Sequence, residues 1–276
     1  MSSNTVKAKQ ASEITLPPKD LGWGTVLNFL IEKFSRIDAA IWRQRVADGK
    51  VHWFGGEVIH ANTTFLPSRR VCYYREVAAE PVIPFTHQIL YQDEHLLILN
   101  KPSGLLTVPG RLPEHQDSLE LRVQRVYPEA RIVHRLDMAT SGLVVMALGA
   151  DSQRHLNLQF EKRQTEKHYL ARLEGKVPVH CGSVELPLIC DWPNRPKQMV
   201  HFGSGKPSLT YFKVLERNEQ QTKVELAPIT GRSHQLRVHM LWLGYPILGD
   251  KFYGTEQGRR SAARLQLHAG SLKFRH

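Results

Sequence analysis

The sequence predicts an α+β protein with a small N-terminal α/β module and a larger domain built on a sheet. The chain has 276 residues, enough for such a pair of units with a buried core. Hydrophobic residues make up 41% and charged residues 23% of it, which are ordinary globular values and exclude a disordered or fibrous protein. Beyond residue 85, strand-like apolar runs alternate with segments of helical spacing.

The charge balance indicates a polyanionic partner. Lysine and arginine number 37 against 26 acidic residues, a net charge of +11, and most of the excess lies beyond residue 80. Nucleic acid is the first candidate, and an anionic membrane surface the second. No window approaches 18 uninterrupted apolar residues, so we expect no membrane partner.

The cysteine content favours a reducing compartment. The three cysteines are an odd number without a C-x-x-C pair, so we expect free thiols and no zinc site. The first 20 residues contain no apolar stretch of signal-peptide length. These features predict a cytoplasmic protein.

The N-terminal part is predicted to contain a flexible tail over residues 1–16 and a module over 17–80. Helical spacing covers 25–34 and 41–46, and a β-hairpin over 51–59 precedes a strand at 71–74. This order resembles the RNA-binding module named for ribosomal small-subunit protein S-four. Any small α/β cap is the alternative. The prolines between 81 and 84 predict a linker.

The larger domain is predicted to span residues 85–276. Its strands and helices are expected, in chain order, as a strand at 96–99, a helix from Ser118, strands at 143–147, around Tyr169, at 209–215 and at 222–227, and a helix from Ser233 to Gly244.

Two stretches could carry chemistry. In the first, His134 to Gly142, Asp137 stands between Arg135 and two hydroxyl residues on a predicted loop. An aspartate before Thr-Ser-Gly could also be an ordinary turn or cap.

The second stretch, Thr230 to His239, places Arg232, His234 and Arg237 at the start of a helix. Helix N-termini favour anions, so a nearby buried carboxylate or a phosphate would explain cations there. A solvated basic face is the alternative.

Four motifs together resemble the RluA family of pseudouridine synthases, which isomerise uridine in RNA. They occur in the family's order as NKPSG from Asn100, HRLDMATSG from His134, KHYLA from Lys167 and TGRSHQLRVHM with GYPILGD from Thr230. The resemblance implies a mixed, largely antiparallel sheet around a central basic cleft. The segment ICDWPNRPKQ, residues 189–198, further resembles the branch that modifies both ribosomal and transfer RNA.

The resemblance also implies roles for individual residues. Asp137 would be the catalytic aspartate, Arg237 its salt-bridge partner, and Tyr169 the ring packed against the target base. Arg135 would fill the space left by the flipped nucleotide, because the enzyme must extrude a stacked uridine to reach it. Further RNA-binding candidates are Lys101, His134, Arg232 and His234.

The sequence leaves open how Asp137 and Tyr169 act and whether the chain is catalytic, and it gives no indication of a cofactor. Asp137 could act as a nucleophile or as a base, and Tyr169 could be an ordinary core residue. The chain could also be a non-catalytic RNA-binding protein. His234 and His239 are five residues apart, which does not suit a helical metal pair. No Walker A or G-x-G-x-x-G motif occurs, so we expect no nucleotide cofactor and no metal.

Two expectations concern the whole molecule. We expect a monomer. The chain stops where members of the family continue with a further strand, which predicts an exposed sheet edge.

Overall fold

The structure, a computed structural model, describes residues 5–8, 11–78, 83–84, 86–110 and 116–276. It divides into two compact units. The described residues up to 78, with Gly110 and Gln116, form the N-terminal unit, and the remainder form the C-terminal unit. Part of the predicted linker, residues 81 and 82, lies outside the described residues.

The N-terminal unit contains both helices that the sequence predicts. Its elements are β1 (Thr5–Lys7), β2 (Ser12–Thr15), α1 (Val26–Lys33), α2 (Ala39–Ala47), β3 (Val51–Trp53), β4 (Arg70–Tyr73) and β5 (Glu76–Ala78). Thr25 caps α1, because its side chain accepts a hydrogen bond from the amide of Asn28. Leu30 of α1, Trp42 of α2 and Val51 of β3 meet in one buried core.

The predicted flexible tail is wrong for the part of residues 1–16 that is described. Strand β1 pairs with β5, and β2 pairs with β4 from Ser12 opposite Tyr73. Leu16 is 2% exposed in the core. Strand β2 satisfies the backbone groups on the edge of β4 that β3 leaves unpaired. The polar composition of the tail does not indicate this pairing. The predicted hairpin is shorter than expected, because its second arm contributes only a bridge at Val58.

The described residues of the C-terminal unit form eleven strands. They are β6 (Gln88–Gln92), β7 (Leu96–Lys101), β8 (Ala130–Ile132), β9 (Ser141–Leu148), β10 (Glu166–Glu174), β11 (Cys181–Glu185), β12 (Leu188–Cys190), β13 (Gln198–Val200), β14 (Leu209–Arg217), β15 (Gln221–Pro228) and β16 (Leu267–Lys273). The helices are α3 (Leu119–Gln124), α4 (Ala150–Glu161), α5 (Gln235–Trp242) and α6 (Glu256–Arg260), with a short 3-10 helix at Trp192–Asn194.

The main sheet is mixed and largely antiparallel, as the resemblance implies. Its strand order is β11, β14, β15, β10, β16, β9, β7 and β6, with β8 also pairing with β9. Among the described strands of this sheet, β16 and β9 are the one parallel pair, and they pair over two residues. Strands β12 and β13 form a separate hairpin.

The C-terminal strand is not an exposed edge. Strand β16 lies between β10 and β9; it pairs with β10 from Leu267 to Lys273 and with β9 at His268 and Ala269. Where it crosses β9, Gly142 has a φ of +116°, and a Cβ there would lie 2.3 Å from the carbonyl oxygen of Ala269. This crossing therefore requires glycine.

Two buried clusters flank the sheet, and Tyr169 lies against both of them. One cluster contains Val224 of β15 and Met240 of α5, and the other contains Leu99 of β7 and Met146 of β9. The position of Tyr169 in the middle of β10 is therefore where the two cores meet. Within the described ranges, no helix is long and apolar enough to cross a bilayer.

Candidate active site

The loop that carries Asp137 connects β8 to β9 and is held by the segment that follows β7. Thr107 donates to the carbonyl of Leu136, and its hydroxyl oxygen accepts from the amide of the same residue. The Ser103 hydroxyl donates to the carbonyl of Ala139. These bonds fix the backbone on both sides of Asp137, and such a rigid support is what a reactive group on a loop needs.

Lys101 belongs to this support, which corrects its assignment as an RNA-binding residue. Its side chain is fully buried, and Nζ donates to the carbonyls of Pro102, Leu105 and Met138 at 2.7–3.2 Å. Burial lowers the pKa of Lys101 to about 7, although the nearby Asp137 acts in the opposite direction. The lysine therefore anchors the residue next to Asp137 and has no surface to offer RNA.

His134 also has a structural role, which corrects a second RNA-binding assignment. Its Nε2 accepts a hydrogen bond of 3.0 Å from the amide of Val145, beyond the point where β8 stops pairing with β9. The ring stacks on Phe160 with centroids 4.7 Å apart. Burial lowers the pKa of His134 to about 3, so the ring is neutral and offers no charge to a phosphate.

The Asp137 carboxylate itself is accessible and lightly held. Its side chain is 26% exposed, and Oδ2 lies 3.8 Å from Nη1 of Arg237 and 3.9 Å from Nε2 of His234. Among the described residues, none donates a hydrogen bond to its side-chain oxygens within 3.5 Å. A carboxylate with two cationic or donor groups just beyond bonding distance is free to react.

Arg237 is the neighbour of Asp137 that the resemblance implies, but its close ion pair is with Asp250. Nε and Nη2 of Arg237 donate to the two Asp250 oxygens at 2.7 and 2.6 Å. Both side chains are buried, and Asp250 also accepts from the amides of Phe252 and Tyr253. Asp250 thus holds the Nε–Nη2 edge of the guanidinium, and Nη1 lies 3.8 Å from Oδ2 of Asp137.

A buried carboxylate, Asp250, therefore accompanies the cationic start of α5, as the sequence predicts.

The turn before α5 is organised by Gln235, which is 3% exposed. Its Oε1 accepts from the Thr230 hydroxyl and the Arg232 amide, and its Nε2 donates to the Leu209 carbonyl and the Thr210 hydroxyl. Nε of Arg232 donates to the Pro207 carbonyl.

His234 caps α5 in a left-handed conformation, with φ 52° and ψ 16°, so the helix begins at Gln235 and not at Ser233. Its Nδ1 lies 2.7 Å from the Tyr253 hydroxyl, and its ring stacks on Phe252. Burial lowers the pKa of His234, which the nearby Asp137 opposes. A non-glycine residue in this conformation is uncommon and points to a use for its side chain.

The pocket at Asp137 is lined by three neighbouring strands, β10, β15 and β16, by two loops and by the start of α5. Its lining residues are Arg135, Leu136, Asp137, Thr140, Lys167, Tyr169, Pro228, Thr230, Gly231, Arg232, His234, Gln235, Leu236, Arg237 and Leu267. Burial raises the pKa of Tyr169, and the nearby Asp137 adds to this effect. The structure therefore brings together Arg135, Asp137, Tyr169, Arg232, His234 and Arg237, and it excludes Lys101 and His134 from the lining.

The described residues contain no group of three or more His, Cys, Asp or Glu side chains that could hold a metal ion. His239 bonds to the Ser208 and Thr210 hydroxyls within the core, and burial lowers its pKa to about 4. It does not share a site with His234. The three cysteines are free thiols.

Comparison with known proteins identifies the family of this chain. The sequence profile of the family described as RNA pseudouridylate synthase matches residues 95–242, which include this loop, β10 and α5. The chain therefore belongs to the RNA pseudouridylate synthase family, whose members are isomerases.

Among curated proteins, it is 57% identical over 189 residues to the dual-specificity RNA pseudouridine synthase RluA of Escherichia coli K12, covering 68% of this chain and 86% of that one. The RluA of Vibrio parahaemolyticus is 54% identical over 201 residues, covering 71% of this chain and 80% of that one. The solved human RNA pseudouridylate synthase domain containing 1 is 31% identical, with a TM-score of 0.58, over 68% of this chain and 78% of that one.

Three residues of the site were not given a role by the sequence. Asp250 and Tyr253 lie in or just after the GYPILGD motif, and Lys167 begins KHYLA. Burial lowers the pKa of Lys167, and the like charge of Arg163 adds to this. A search for the buried counter-ion that the cationic helix start requires would have found Asp250, because it is the acidic residue of that motif.

Proposed function

We propose that this pseudouridine synthase acts on ribosomal and transfer RNA and uses Asp137 as its catalytic residue. The observation that carries the proposal is a partly exposed carboxylate, lightly held, in a pocket whose other charged side chains are all basic. A carboxylate there repels phosphate, so a protein that only bound RNA would gain nothing from it.

The basic side chains supply the contacts that RNA requires. Arg135, Lys167 and Arg232 line the pocket, and Arg135 is exposed. Cations in this arrangement pair with phosphates and make affinity depend on salt. We regard these residues as the walls of a central basic cleft.

Tyr169 supports the target base in this proposal. A stacked nucleotide hides its glycosidic bond, so the uridine must be extruded before a carboxylate reaches it. The aromatic ring of Tyr169 lines the pocket that contains Asp137, and its buried surroundings fix its position. Arg135 then occupies the space that the extruded nucleotide leaves.

The reaction breaks the bond between nitrogen-1 of uracil and the anomeric carbon and joins carbon-5 to that carbon. Asp137 either attacks the anomeric carbon as a nucleophile or removes a sugar proton to give a glycal. Both routes use the Asp137 carboxylate, and Nη1 of Arg237 lies 3.8 Å from its Oδ2.

The test is Asp137→Asn, which is nearly isosteric and uncharged. With unmodified ribosomal and transfer RNA transcripts, we expect no pseudouridine by carbodiimide labelling and primer extension, and RNA affinity within a few-fold of the unsubstituted protein. Asp151→Asn, at an exposed site on α4, is the control. Isomerisation by Asp137→Asn at the normal rate contradicts the proposal, and an inactive unsubstituted chain favours a non-catalytic RNA-binding protein.

We further propose that the N-terminal unit, whose order of elements resembles the S-four module, adds RNA affinity. Two arginines of this unit lie over aromatic rings, Arg69 over Trp53 and Arg70 over the exposed Phe54. Replacing both arginines by glutamine should reduce the slope of log affinity against log salt by roughly 1.4 to 1.8. An unchanged slope contradicts this role.

Two further expectations go with this function. We expect the protein to act as a monomer, and the residues that this proposal uses lie in one pocket of the chain. A cytoplasmic location agrees with an RNA substrate and with free thiols.

A further inference from the structure

We propose that His234 is a positioning residue that orients the Asp137 carboxylate through its Nε2–H group, and that Tyr253 fixes the tautomer that makes this possible. This inference rests on the proposed catalytic role of Asp137. It assigns His234 to the reaction and not to RNA binding, which the sequence resemblance implies for it.

The first step of the argument is the hydrogen bond on the far side of the ring. The amide of Gln198 in β13 donates to the Tyr253 hydroxyl oxygen at 2.7 Å. That oxygen lies 2.7 Å from Nδ1 of His234. Because the amide occupies the oxygen as a donor, the phenol proton is free to be donated to Nδ1. Burial also raises the pKa of Tyr253 to about 12, so this proton is retained.

The second step follows from the chemistry of a neutral imidazole, in which one nitrogen accepts and the other donates. If Nδ1 accepts from Tyr253, then Nε2 carries the hydrogen. Nε2 is the atom that faces Asp137, at 3.9 Å from Oδ2. A movement of about 1 Å brings the pair to hydrogen-bond distance, and catalytic bonds are often longer before substrate binds.

The third step is the support for the ring. His234 adopts a left-handed backbone that glycine or asparagine tolerates better, and its ring stacks on Phe252. Phe252 and Tyr253 are themselves fixed, because their amides donate to the buried Asp250. Phe252 and Tyr253 therefore both hold the His234 ring, and Tyr253 connects that ring to the amide of Gln198 in β13.

The first experiment determines the tautomer in the full chain without measuring activity. The protein is labelled with ¹⁵N-histidine, and the His234 signals among its 14 histidines are assigned by their loss in His234→Asn. We expect Nε2 to be protonated and Nδ1 to be unprotonated near neutral pH. A protonated Nδ1 overturns the proposal, whatever the role of Asp137.

The second experiment compares two substitutions in single-turnover kinetics on unmodified RNA transcripts. His234→Asn tolerates the backbone and can place its Oδ1 acceptor near Tyr253, but its NH₂ group ends one atom short of the position from which Nε2 faces Asp137. We expect its maximal rate to fall by about 10- to 100-fold, with RNA affinity within two-fold. His234→Gln keeps a donor at the outer position, and we expect it to recover part of the rate.

The results separate the proposal from its competitors. Weaker RNA binding with an unchanged maximal rate would make His234 an RNA contact and overturn the positioning role. Equal rates for the two variants would overturn it as well. Asp137→Asn in the same assay tests the proposed function separately.

A third variant keeps the test decisive if His234→Asn does not fold. Tyr253→Phe removes the donor to Nδ1, and we expect a mixture of His234 tautomers and a lower maximal rate. Tyr127→Phe is the matched control, because it removes a phenol that donates to Gln92 elsewhere in the unit. An unchanged tautomer and rate in Tyr253→Phe would contradict the role of Tyr253.

Discussion

Asp250→Asn should be among the most damaging conservative substitutions in this chain. Asp250 is fully buried, and its Oδ1 accepts from Nη2 of Arg237 and from two backbone amides. In the unsubstituted protein, Oδ2 lies 2.7 Å from Nε of Arg237. If the asparagine keeps its oxygen at the position of Oδ1, its NH₂ group replaces Oδ2 and faces Nε. Two donors then face each other, and a buried guanidinium loses its counter-ion.

The size of the effect follows from this geometry. Removing one partner of a buried ion pair costs about 3–5 kcal/mol, because the remaining charge stays desolvated. Asp117 forms a similar two-bond pair with Arg122, but those side chains are 23% and 17% exposed. Asp117→Asn should therefore cost less than Asp250→Asn, since water compensates part of the lost bond.

Urea denaturation at neutral pH measures both losses in the full chain. The double substitution of Arg237→Met with Asp250→Leu removes both charges together. We expect it to recover only part of the stability, because the amides of Phe252 and Tyr253 lose their acceptor, and to recover none of the activity. A loss below about 1 kcal/mol for Asp250→Asn would refute the reasoning, because it would mean that the Arg237 charge is solvated.

Two further substitutions test the supports of the site. Gly142→Ala should destabilise the chain far more than Gly149→Ala. The Cβ at 142 would lie 2.3 Å from the carbonyl oxygen of Ala269, whereas no atom lies within 4 Å of a Cβ at 149. Equal unfolding midpoints for the two variants would contradict this. The folded pKa of His134, about 3, lies below its usual 6.5, so stability is fully present above pH 6.5 and is lost as pH falls towards 3. Between pH 3 and pH 6.5, His134→Gln should reduce the slope of unfolding free energy against pH by up to about 1.4 kcal/mol per pH unit. An identical slope would show that the folded protein does not hold this ring in its neutral form.

Much of the larger unit follows from local sequence signals. Period-two alternation and apolar runs predict strands near 96–99, 143–147, 209–215 and 222–227, and the structure has a strand at each of them. The resemblance of the motifs to a known family predicts that Asp137, Tyr169 and Arg237 share a site, and these three residues line one pocket, whereas Lys167, which also lines it, was given no role. Periodicity is a property of neighbouring residues, so it can be read before the chain is folded.

Only the tertiary structure decided how each of these residues is used. Lys101 and His134 have the charge or ring of an RNA contact, but burial and carbonyl or amide partners make them supports. Arg237 pairs most closely with Asp250, 13 residues away, because α5 and the following turn bring the two together. Similarly, the tail pairs with β4 because the folded chain brings Ser12 opposite Tyr73, which is distant in sequence. Burial and hydrogen-bond partners depend on distant segments meeting in space, and no local pattern in the sequence contains that information.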